Sequence, residues 1–196
     1  MNHKLLLLTA IALFFLCGCD SCEVVRVQGG ELHFSDGKST AIPHWNEEGW
    51  THFFFVRHAD RLPEPQDGLT DAGKQRAHRL GKIMKGAGLD LVFTTETNRT
   101  RTTADSVRVH YPHLPAPTPS YSNVDEAETE WLRQQLRENR GKRIFVVGHS
   151  NTVPRMVNKL MGPDSRLTDL DPNNFSAFFV VASRGLGDSQ YLWKSY

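Results

Sequence analysis

Four side chains of this 196-residue chain stand just beyond apolar runs, and their types suit a phosphoryl group. His52-Phe53-Phe54-Phe55-Val56 gives way to Arg57-His58-Ala59. The run ending Phe93-Thr94-Thr95 is followed within a turn by Arg99 and Arg101, and Ile144-Phe145-Val146-Val147 leads into Gly148-His149-Ser150-Asn151-Thr152. A guanidinium offers paired donors to phosphate oxygens, and an imidazole can attack phosphorus or hold an oxygen. If the three runs are neighbouring strands, their carboxyl ends open on one crevice, where open α/β sheets bind ligands. Arg57, His58, Arg99 and His149 are therefore the candidate phosphate-binding set, and Arg101 stays undecided. His3, His33, His44, His52, His78, His110 and His113 are read as ordinary surface or core residues, and Arg76 and Arg79 as a solvated helix face. No His-x-x-x-His spacing supports a metal site, and Gly29-Gly30 reads as a turn, not a phosphate loop.

Such a crevice needs a sheet with helices between its strands. Residues 52–56, 89–94 and 143–148 are nearly continuous apolar runs, as strands covered on both faces would be. Residues 71–85 place Ala77, Leu80, Ile83, Met84 and Ala87 at three- and four-residue spacing, with Thr70 as N-cap and Asp71 favourable to the helix dipole. Residues 98–109 read as helix, as do residues 125–139, with Ala127, Trp131, Leu132, Gln135 and Leu136 as the inner stripe and Gly141 as the stop. Residues 153–161 add a short helix with Pro154 in its first turn. Residues 175–182 and 190–194 flank a Gly-rich turn and form a strand pair, and residues 24–27 and 31–34 form a small hairpin about Gly29-Gly30. Residues 35–49 read as a turn-rich surface, while Pro112, Pro115, Pro117 and Pro119 exclude helix and central strand nearby. The implied architecture is α/β: a single-domain three-layer sandwich with a mostly parallel central sheet flanked by helices.

Composition narrows the function classes. Lys and Arg number 23 against 22 Asp and Glu, which leaves no basic surplus for nucleic acid. Eleven Phe and 4 Trp argue against disorder, and 3 Cys cannot build a dense disulfide framework. The opening MNHKLLLLTAIALFFLCG has one Lys before an apolar run over residues 5–16, too short for the roughly 20 residues of a spanning helix and without a polar face. It reads as an export signal.

Two resemblances extend these readings. Leu16-Cys17-Gly18-Cys19 resembles a bacterial lipobox, which implies cleavage after residue 18, acylation of Cys19 and stable attachment to a membrane, on the periplasmic side of the inner or outer membrane. The chain then divides into a signal peptide (1–18), a tether with the small hairpin (19–50) and a domain over 51–196. Arg57-His58-Ala59, Leu69-Thr70-Asp71-Ala72-Gly73 with Arg76-Ala77, Phe93-Thr94-Thr95 running through Arg99 to Thr103-Ala104, and Gly148-His149-Ser150-Asn151 together resemble the histidine phosphatase superfamily, also called phosphoglycerate mutase-like. The match runs from about Phe53 to Val181.

The family resemblance implies that His58 is transiently phosphorylated while Arg57, Arg99 and His149 clamp the phosphoryl oxygens, with no cofactor or metal. A backbone carbonyl accepting from the second nitrogen of His58 would fix the attacking tautomer, and the amides following His58 and His149 would assist. Ala59 stands where most members have Gly, and the usual Leu-x-Glu donor is missing. Glu126 is the first candidate for a general acid, with Asp125 and Asp60 as options; without one, a substrate with a good leaving group such as phosphohistidine gains ground. The expected partner is a small phosphorylated substrate or phosphohistidine. The rival readings are a non-catalytic phosphate-binding lipoprotein and a phosphomutase.

Overall fold

The computed structural model describes residues 22–116 and 125–196. The lipobox with Cys19, and residues 117–124 of the Pro-rich stretch, lie outside the described residues. The central sheet contains β4 (Thr51–Arg57), β5 (Leu91–Thr94), β6 (Arg143–Gly148), β7 (Ala177–Gly185) and β8 (Asp188–Ser195), in the order β5-β6-β4-β7-β8. The β4, β5 and β6 strands run parallel, β7 is antiparallel to β4, and β8 is antiparallel to β7. One reversed strand in an otherwise parallel sheet matches the architecture expected from the alternating pattern.

Helices cover both faces: α1 (Asp71–Met84) and α2 (Asn98–Arg108) on one, α3 (Asp125–Glu138) and α4 (Thr152–Met161) on the other. Alternate residues of each strand serve opposite cores, as the two-residue period of a strand requires. Phe54, Val56, Phe145, Val147, Phe178 and Val180 meet Leu80, Ile83, Met84, Ala104 and Val107. Phe53, Phe55, Ile144, Val146, Phe179 and Val181 meet Trp131, Leu132, Val153, Met156, Val157 and Leu160.

The N-terminal hairpin of β1 (Val24–Gln28) and β2 (Glu31–Phe34) gains a third strand, β3 (Ser39–Ala41), inside the stretch read as turn-rich surface. Ile42, just after it, is buried with Val24, Val27 and Leu32 in the α1–α2 core. This small sheet is thus part of the main packing, drawn in by apolar positions too sparse to reveal a strand by period alone. Helix α3 also differs from its expected stripe. Ala127 is exposed, whereas Glu128 is fully buried and bonded through both oxygens to Arg155 of α4, each at 2.6 Å. A carboxylate goes inside here because a bidentate guanidinium meets it.

Candidate active site

The site begins with strand register. Arg57 pairs with Gly148 across the parallel β4–β6 ladder, and the His58 amide donates to Gly148 O at 2.9 Å. Two strands ending in step deliver the residues that follow, His58 and His149, as neighbours: their ring centroids are 5.5 Å apart at 68°. With Arg57, Arg61, Glu64, Thr97, Arg99, Ser150 and Asn151 they line a cavity of about 320 Å³. The four sequence-predicted groups, 92 residues apart at their extremes, do meet; Arg101 does not line the cavity.

His58 is 3% exposed, and its Nδ1 lies 2.8 Å from Ala59 O. A carbonyl only accepts, so Nδ1 carries the proton and Nε2 keeps its lone pair. Burial pushes the imidazole down to about 3, helped by His149, Arg57 and Arg99 and opposed by the Ala59 carbonyl. His149 is pushed down to about 4, first by burial and then by Arg99 and Arg57. Both rings are neutral at pH 7. Thr95 Oγ1, 2.8 Å from His149 Nε2 and 3.1 Å from Thr100 Oγ1, sets the plane of the second ring.

The guanidinium groups are fixed from behind. Arg57 Nη1 donates to the carbonyls of Asp171, Pro172 and Asn174 at 3.0, 2.8 and 3.1 Å, and its Cζ lies 4.1 Å from the Phe175 ring centroid. Arg99 Nη1 donates to Asp67 Oδ1 at 2.6 Å, while Asp67 Oδ2 accepts from the Asn98 amide at the start of α2. One carboxylate therefore ties the arginine to its helix terminus. The Nε atoms of Arg57 and Arg99 are buried with no hydrogen-bond partner among the described residues.

Several expectations need correction. The amide after His58 is spent within the protein: Ala59 N donates to Thr103 Oγ1 at 3.0 Å. Asp60 is not a poised acid, because Arg76 Nε donates to its Oδ2 at 2.6 Å and the guanidinium, against the opposing effect of burial, holds the carboxyl below its ordinary value. Arg76 is accordingly a half-buried ion-pair partner, not part of a solvated face. Glu126 is exposed on α3 and does not line the cavity, and the Asp125 side chain lies outside the described residues. The carboxylate that does line it is Glu64, which no apolar run or motif marks in the sequence.

The segment after His58 is moulded onto α1. Thr70 N donates to Asp60 O at 3.0 Å, and Thr70 Oγ1 caps α1 by accepting from Gly73 N at 3.0 Å. A Cβ on Gly73 would sit 2.1 Å from Asp60 O, so only glycine lets helix and loop approach this closely. Within the Leu-Thr-Asp-Ala-Gly motif, Thr70 thus caps α1 and Gly73 permits the close approach of the Asp60 segment.

The fold is phosphoglycerate mutase-like. Solved structures similar to it include the protein histidine phosphatase SixA complexed with tungstate, at 18% identity and TM-score 0.59 over 74% of this chain and 96% of that one. Phosphoglycerate mutase from Bacillus anthracis str. Sterne aligns at 13% identity and TM-score 0.57, over 76% and 93%. A phosphoserine phosphatase mutant from Entamoeba histolytica in complex with phosphoserine aligns at 14% identity and TM-score 0.54, over 74% and 97%. No family model matches the chain, and no curated protein matches it by sequence. At these identities the likeness concerns the backbone, and the chemistry must be argued from the side chains.

Proposed function

We propose that the chain is a phosphatase that moves a phosphoryl group from a phosphomonoester or phosphoramidate to His58 Nε2 and then to water, without a metal ion. The observation that carries this reading is a neutral imidazole whose Nδ1–H is held by Ala59 O, beside a second imidazole, the buried Arg57 guanidinium and the half-buried Arg99 guanidinium. Attack by Nε2 forms an N–P bond as the bond to the leaving group breaks. Water then takes the phosphoryl group, inorganic phosphate departs and the imidazole is restored. Arg57, Arg99 and His149 hold the oxygens whose charge grows during transfer. An oxyanion between the arginines would also satisfy their buried Nε–H groups, which otherwise carry a desolvation cost.

The leaving group narrows the substrate. Asp60 is committed to Arg76, Glu126 is exposed and does not line the cavity, and Glu64 is already paired with Arg61. With no carboxylic acid held ready among these candidates, a leaving group that needs little protonation is favoured, such as the imidazole of phosphohistidine or an aryl alkoxide. The similarity to a structure named protein histidine phosphatase is in keeping with that preference. Turnover of p-nitrophenyl phosphate in excess EDTA, lost in His58→Ala, is the expected result. Phosphate binding without turnover at any pH would make the chain a binding module, and loss of activity to EDTA would restore a metal to the reaction.

We also propose that the protein is exported and anchored through lipid on Cys19, on the strength of the apolar opening and the Leu16-Cys17-Gly18-Cys19 sequence. Cys19→Ala should leave the precursor unprocessed and unlabelled by radioactive fatty acid; normal processing of that variant would point to an ordinary signal peptide.

A further inference from the structure

The cavity holds a third guanidinium, Arg61, besides Arg57 and Arg99. Arg57 and Arg99 are each held from behind, by three carbonyls and by Asp67 respectively. Arg61 lines the same cavity and pairs with Glu64, a contact between side chains that are 35% and 71% exposed. Arg61 also stands close enough to Arg57 to disfavour its charged form, second only to burial in doing so.

The backbone treats the two partners of this pair differently. Arg61 sits at the anchored base of its loop, bridged to Leu69, and Leu62 N donates to Gly68 O at 2.9 Å. Glu64 sits at the tip, inside a turn closed by Gln66 N donating to Pro63 O at 3.0 Å. An ion pair this exposed contributes roughly 0–1 kcal/mol, so a competing anion can displace it. A second anionic group on a substrate already held by its phosphoryl end competes at high effective concentration.

We propose that Arg61 is a second anion subsite, occupied by Glu64 until a substrate displaces it, and that the preferred substrate carries a carboxylate or second phosphate close to the scissile phosphoryl group. The inference rests on the phosphatase reading of the cavity. The extra anion offsets the mutual repulsion of Arg57 and Arg61 and selects against phosphoryl compounds that lack it.

Titration calorimetry on the full chain with phosphonoacetate and with methylphosphonate tests this independently of turnover. The two share a phosphonate, and only the first bears a carboxylate. Wild type should bind phosphonoacetate about tenfold more tightly, the scale of one charge-assisted contact. Arg61→Ala should bring the two affinities together, Arg61→Lys should keep part of the preference, and Glu64→Gln should tighten phosphonoacetate by removing the internal competitor. Equal affinities in wild type, or a preference that survives Arg61→Ala, would overturn the subsite alone. Failure of both phosphonates to bind would instead overturn the phosphatase reading beneath it.

Discussion

Histidine and arginine residues stand at both ends of strands β4 and β6, and those at the carboxyl ends line a cavity. At the amino ends His52 Nε2 bonds Pro43 O at 2.9 Å, His44 stacks on Trp50 at 3.6 Å between centroids, and Arg143 lies over Trp45 at 4.0 Å. There the imidazoles and the guanidinium pack against a carbonyl and two indole rings. At the carboxyl ends His58 and His149 each spend one nitrogen on the protein, at Ala59 O and Thr95 Oγ1, and both line the cavity. Residue types recur at both ends; what differs is the setting, packed against indole rings at the amino ends and opening on a cavity at the carboxyl ends.

This contrast can be broken in order of size. Replacing Arg57 or Arg99 by Ala should slow turnover about 10²–10³-fold, roughly 3–4 kcal/mol of transition-state stabilisation, with steady-state kinetics on an aryl phosphate as the measure. A loss of only a few-fold would mean the carboxyl-end arginines are as structural as Arg143. His52→Ala should do the opposite, lowering stability by about 1–3 kcal/mol in urea melts while leaving kcat unchanged. A fall in kcat at constant stability would dissolve the distinction between the two ends.

A third effect is common to both ends. Burial holds His52, His58 and His149 below the ordinary 6.5, His58 at about 3 and His149 at about 4. As the pH falls below about 6.5 the unfolded chain takes up protons that the folded chain refuses. Stability present above that pH is therefore lost toward pH 4, at about 1.4 kcal/mol per pH unit for each such proton. His58→Ala should flatten the slope of the urea midpoint against pH by one proton; an unchanged slope would mean His58 titrates normally in the fold.

The parts of this molecule legible in the sequence are those where one residue's neighbours along the chain decide its fate. Arg57-His58 and Gly148-His149 could be placed because each closes an apolar run, and α1 because its stripe from Ala77 to Ala87 is unbroken. What escaped depends on partners far along the chain. The carbonyls holding Arg57 come from Asp171 to Asn174, and backbone atoms leave no trace in residue type. Asp67 could be recognised only once Arg99 lay beside it, and Glu128 only once Arg155 did. Asp60 and Arg76 read as unconnected in the sequence because nothing local shows that Gly73 brings their segments together.

The central claim is that His58 Nε2 accepts the phosphoryl group. Acid-free quenching of the protein with a 32P-labelled phosphoramidate, followed by peptide mapping, tests it most directly. The label should appear on the peptide containing His58, survive alkali, disappear in acid and be absent from His58→Ala. Label on another residue, or full turnover by the variant, would contradict it.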